Sequence, residues 1–125
     1  MFRPPPYDLG TVPESPVQQG VSLANLGRYE EAAEAYRACL DMSPGVAVVL
    51  SNLGVALANL GQSEDAIRTF DEALAIDRRD PLTLYNKGLA LAKLGREMEA
   101  MDCFSHYRDL AGDRQPGNTR QPSFR

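Results

Sequence analysis

Between Ala47 and Asp80 the apolar residues recur three and four positions apart. Leu53, Leu57 and Leu60 fall at helical spacing on one face, with small Gly54 and Ala58 between them. Ala66, Phe70, Ala73 and Leu74 repeat the arrangement after a break at Gly61. The pattern predicts two amphipathic helices in an antiparallel hairpin. Gly54 and Ala66 carry almost no side chain, so the helices can approach closely, and Phe70 fills the gap as the large knob. One face of such a hairpin stays apolar and requires neighbours.

The rest of the chain supplies them. A shift of 34 residues in either direction overlays the sequence on itself without a gap. Gly20, Gly54 and Gly88 align, as do Leu23, Leu57 and Leu91. The same holds for Leu26, Leu60 and Leu94, for Gly27, Gly61 and Gly95, and for Ala32, Ala66 and Ala100. Tyr36, Phe70 and Phe104 complete the set. A helix pair recurring at this period with Leu-Gly and Ala…Phe/Tyr marks resembles the tetratricopeptide repeat family. The resemblance covers residues 13–46, 47–80 and 81–114. It implies an all-α fold, a right-handed α-solenoid of three stacked helix-turn-helix hairpins.

Taken in order, residues 1–14 form a proline-rich tail with Pro4, Pro5, Pro6 and Pro13, expected to be extended. Ser15-Pro16 reads as a cap and first helical residue, opening a helix to about Leu26. Its partner runs from about Tyr29 to Met42, before Ser43-Pro44-Gly45. Ser63 is the expected cap of the second hairpin's second helix. Asp80-Pro81 opens a helix to Leu94, and the sixth helix runs from Glu97 to about Leu110. Residues 115–125 show no periodic apolar set and are expected to lack regular structure.

The chain has 125 residues, one domain's worth, and a net charge of −4 with a pI near 4.9. That balance argues against a nucleic-acid or anionic-membrane partner. Cys39 and Cys103 fall in the second helices of the first and third repeats, too far apart for a bridge, so two free thiols point to a reducing, cytoplasmic setting. No apolar run approaches the roughly 18 residues of a membrane span, and the N-terminus lacks a signal-peptide core. His106 is the sole histidine, so no two-histidine metal site or Ser-His-Asp arrangement can be assembled. Glu30-Glu31 and Glu64-Asp65 suit helix N-termini rather than catalysis. The glycines are turn and packing residues, not a phosphate loop. The expectation is a non-catalytic protein without metal or cofactor.

What remains is a surface. The resemblance implies that the first helix of each hairpin lines a concave face that binds peptides. Its inward residues are then Val17, Gln18, Val21, Ala24 and Asn25 in the first repeat. Val48, Ser51, Asn52, Val55, Ala58 and Asn59 follow in the second, and Leu82, Tyr85, Asn86, Leu89, Ala92 and Lys93 in the third. The floor is apolar, and an amide recurs at Gln18, Asn52 and Asn86. A primary amide both donates and accepts, so it can pair with peptide N–H and C=O whatever the sequence; it can equally bond between neighbouring helices. Relatives that clamp a ligand's C-terminal carboxylates place Lys, Asn and Arg where this chain has Val17, Val21, Asn52, Leu82 and Asn86. Only Asn52 fits, which argues against that ligand.

The third repeat departs from the pattern. Tyr107 stands where Cys39 and Ala73 leave room for the next repeat, and Gly112 replaces Pro44. Met101, Phe104 and Tyr107 then form an apolar strip on the last helix with no cover in the chain, unless Phe104 faces its partner helix. Two readings follow: a binding module recognising a largely apolar peptide or helix in the groove, and a self-associating unit stacking through the last helix. A domain cut from a larger protein is a further alternative. The tail's Phe2, Tyr7 and Leu9 are candidate competitors for the groove.

Overall fold

The computed structural model describes residues 15–114. The expectations for residues 1–14 and 115–125 lie outside the described residues. Within them the chain forms six helices: α1 (Pro16–Asn25), α2 (Tyr29–Met42), α3 (Ala47–Asn59), α4 (Ser63–Ile76), α5 (Pro81–Lys93) and α6 (Glu97–Arg114). Each packs on the next in sequence, which makes three hairpins stacked into an all-α solenoid. The first helices also touch one another, α1 with α3 and α3 with α5, while α2, α4 and α6 do not. The stack therefore curves, with α1, α3 and α5 on its inner side.

Turn chemistry sets the hairpins. Gly27, Gly61 and Gly95 take φ of 80°, 83° and 79°, a left-handed conformation that suits glycine. The N–H groups of Arg28, Gln62 and Arg96 then donate back to the carbonyls of Leu23, Leu57 and Leu91, each at 2.9 Å. This closure leaves one residue between the glycine and the next helix. Ser63 is consequently the first residue of α4 and not its cap. Gln62 holds the cap position without a side-chain hydrogen bond. Side chains do cap α1 and α5: Ser15 Oγ accepts from the Gln18 N–H at 3.2 Å, and Asp80 Oδ1 from the Leu82 N–H at 3.2 Å; α3 starts after Val46 without one.

The core is the repeated contact of a small residue with a ring. Phe70 lies on Gly54, Tyr36 on Gly20 and Phe104 on Gly88, so close that a Cβ at any of the three glycines would overlap the ring. Ala66 and Phe70 have no exposed surface. Ala32, Ala33, Leu53, Leu57, Ile67, Ala90 and Leu91 join them in one continuous cluster. Cys39 and Cys103 are both buried and free, and α2 does not touch α6.

One polar thread crosses this core. Thr83 Oγ1 donates to Asp80 Oδ2 at 2.5 Å and lies 2.8 Å from Ser51 Oγ. A threonine hydroxyl has one proton, so with that proton on Asp80 the Ser51 hydroxyl must donate to Thr83. The pair satisfies two buried hydroxyls and ties α3 to α5. Ser51 was expected in the groove; it is buried instead, because the inner helices approach each other along that side.

The sixth helix runs one turn beyond the expected Leu110, to Arg114. At the corresponding place the first repeat has Pro44, which lies in the turn after α2, whereas Gly112 presents no ring to stop the helix. At the hairpin turns Arg28 pairs with Glu31 at 2.5 Å and Arg96 with Glu99 at 2.8 Å. The Arg96 hydrogen bond holds the Glu99 carboxyl below its usual range.

Candidate functional site

The inner helices present a row of apolar side chains to solvent. Val48 is 60% exposed and Leu82 62%, and Val21, Tyr85 and Leu89 are exposed beside them. Each sits on a helix whose opposite face is spent on the core, as Leu53, Leu57, Leu84 and Leu91 show by their burial. Val17, Ala24, Val55 and Ala58 lie between the two sets, half-buried and packed against the core from the groove side. Burial of such a surface by a partner is the ordinary way to remove it from water.

The amides are placed differently from one another. Gln18 and Asn25 are exposed, whereas Asn52 and Asn86 are half-buried. Neither the Asn52 nor the Asn86 side chain is hydrogen-bonded among the described residues. Asn59 is committed, its Nδ2 donating to the Val55 carbonyl at 2.9 Å. The side-chain hydrogen bond between neighbouring inner helices is made by Ser51 and Thr83.

Between α3 and α5 the floor opens into a depression of about 280 Å³. Val55, Ala58, Leu89 and Ala90 make its walls, Phe70 closes its base, and Asn59, Asn86 and Lys93 stand at its polar edge. The inward set implied by the family resemblance contains Val55, Ala58, Asn59, Asn86, Leu89 and Lys93; Phe70 is expected only as the core knob, and Ala90 is buried beside it. A helical wheel contains no signal for the gap between two helices that these two buried residues underlie.

Cations on the inner helices are few. Lys87 is drawn to α4, its Nζ 2.7 Å from Asp71 Oδ1. Arg96 is held by Glu99. Lys93 is exposed and forms no ion pair among the described residues. Burial pushes the Cys103 thiol pKa up, which makes it a poor nucleophile. No group of acidic, histidine and cysteine side chains among the described residues could hold a metal ion. No helix there is long and apolar enough to cross a membrane.

At the far end, the three side chains expected to form one strip separate. Met101 is 67% exposed, although its counterparts Ala33 and Ile67 are buried. Phe104 turns inward onto Gly88, its ring 5.6 Å from that of Tyr85. The Tyr107 ring is tilted against Tyr85 at 5.2 Å. The open patch on α6 is thus Met101 with Met98, and the aromatic pair belongs to the groove's end.

The tetratricopeptide repeat model matches residues 17–81 and, in an overlapping register, 51–115. No match was found among curated protein sequences. Several solved structures share the fold. The second tetratricopeptide domain of Spaghetti (RPAP3), solved with the HSP90 peptide SRMEEVD, is 24% identical, with a TM-score of 0.74 over 77% of this chain and 89% of that one. PcrH, solved with the chaperone-binding region of PopD, is 20% identical, with a TM-score of 0.76 over 82% and 77%. The first such domain of human RPAP3 is 21% identical, with a TM-score of 0.75 over 82% and 80%. With the register, the glycine turns and the small-residue–ring contacts all in place, the chain belongs to the tetratricopeptide repeat family.

Proposed function

We propose that this chain is a non-catalytic protein-interaction module that takes a largely apolar peptide or helix along α1, α3 and α5. The observation that carries this is the exposed apolar row Val21, Val48, Leu82, Tyr85 and Leu89 beside two amides with no hydrogen-bond partner among the described residues. PcrH and RPAP3 were solved with peptide segments bound, which supports a ligand of that kind here. A peptide of the acidic C-terminal type is disfavoured, because Val17, Val21 and Leu82 offer no charge to its carboxylates. Side chains dock on the apolar floor, and Asn52 and Asn86 pair with the ligand backbone. The test is a display selection of random linear peptides on the full chain. Selected peptides should lose binding to Val48→Glu and to Leu82→Glu, while both variants keep their helix content. Binding that survives both substitutions would refute the groove.

A second reading, self-association through α6, is favoured by Met101, exposed where Ala33 and Ile67 are covered by the next hairpin. Light scattering across a concentration series tests it. The mass should rise in the wild type and stay monomeric in Met98→Glu/Met101→Lys; a wild type monomeric throughout removes this reading.

A further inference from the structure

We infer that the depression between α3 and α5 is a two-part subsite for an extended peptide, seating one large apolar side chain whose neighbouring Asp or Glu meets Lys93. The inference rests on the groove proposed above and names the class of ligand it selects. The apolar part follows from size. About 280 Å³ is nearly twice the roughly 150 Å³ that takes up a benzene ring. It suits a phenylalanine, tyrosine, leucine or methionine side chain, and Val55, Leu89 and Ala90 supply an apolar wall around it.

The charged part follows from what the other cations are doing. Lys87 and Arg96 are held by Asp71 and Glu99, which leaves Lys93 at the edge of the depression without an ion-pair partner among the described residues. The aligned positions in the other two repeats are Asn25 and Asn59, so only this end of the floor carries a charge. Most acidic groups of α2 and α4 lie on the outer side, and none lines the depression. A carboxylate there meets a cation with no competing anion.

Asn86 fixes the spacing. It stands seven residues before Lys93 on α5, about two turns or 10 Å, which an extended peptide covers in about three residues. With Asn86 gripping the ligand backbone, the acidic residue falls within three positions of the apolar anchor. A side-chain carboxylate is the source and not a chain terminus. A terminal carboxylate needs several converging donors, and one exposed lysine is a single point charge.

The test uses the display selection on the full chain. Enriched peptides should carry a large apolar residue with Asp or Glu within three positions. For a synthetic enriched peptide, anisotropy titration should give about threefold weaker binding for Lys93→Met or for Asp→Asn in the peptide, and no further loss when both are made. Added salt should weaken the wild type more than Lys93→Met. Ala58→Leu, which fills the depression, should remove binding while the fold stays intact. Enriched peptides that depend on Val48 and Leu82 but lack the acid, or ignore Lys93→Met, would overturn the subsite and leave the groove standing. Enrichment of no peptide, or binding indifferent to Val48→Glu and Leu82→Glu, would overturn the groove and the subsite together.

Discussion

The contact of Phe70 with Gly54 gives the sharpest prediction about the fold, through Gly54→Ala. In a solvent-facing helix this change stabilises by about 0.5–1 kcal/mol, because alanine has the higher helix propensity. Here the new methyl carbon would sit 2.6 Å from Phe70 Cδ1 and 2.9 Å from Cζ, and closer still to Cε1. Carbon atoms in contact prefer about 3.5–4.0 Å, so the ring has to withdraw by about 1 Å. Withdrawal takes the ring out of a fully buried seat, since Phe70 has no exposed surface and Ala66 beside it is fully enclosed. Overpacking of this kind costs about 1–3 kcal/mol, which exceeds the propensity gain, so the net effect is a loss of about 1–2 kcal/mol. Urea unfolding followed by circular dichroism measures it. Phe70→Leu in the same background should relieve the clash, giving a double variant more stable than the two single changes sum to, by at least about 0.5 kcal/mol. Gly54→Ala that stabilises, or strict additivity with Phe70→Leu, would refute the close approach.

Ala66→Leu should lower the urea midpoint far more than Ala58→Leu, because Ala66 is fully buried at the helix contact and Ala58 borders open space; equal shifts would contradict the register. Ser51→Ala and Thr83→Val should each cost about 1 kcal/mol. The double variant should cost less than their sum, since it removes both buried hydroxyls together. Cys39 and Cys103, buried and in helices that do not touch, should react slowly with a thiol reagent in the native chain and at once in denaturant. Rapid native labelling of both would mean that the hairpins open.

Most of the fold is legible in the sequence because the repeat states it three times. The Gly54–Phe70 pair could be named from spacing alone, and its copies at Gly20–Tyr36 and Gly88–Phe104 have the same geometry. The inner position of α1, α3 and α5 came from the family resemblance, and Val48, Leu82, Tyr85 and Leu89 are exposed on those helices. What escaped the sequence depends on pairs of elements. Ser51 neighbours Asn52 and Val48 on a helical wheel, and only the approach of α5 with Thr83 makes it a core residue. Ser63 looks like a cap until the left-handed Gly61 fixes where the helix starts. Lys93 resembles any surface lysine until Lys87 and Arg96 are seen to be occupied. The depression itself is a gap between helices, which no linear pattern encodes.

The central claim, that partners are met by the inner helices, is tested most directly by amide chemical-shift mapping of the isotope-labelled full chain against a selected peptide. Shifts and line broadening should gather on α1, α3 and α5, strongest around Val48, Val55, Asn86 and Leu89, with α2 and α4 nearly silent. Perturbations concentrated on the outer faces of α2 and α4, with the inner helices unmoved, would contradict the account.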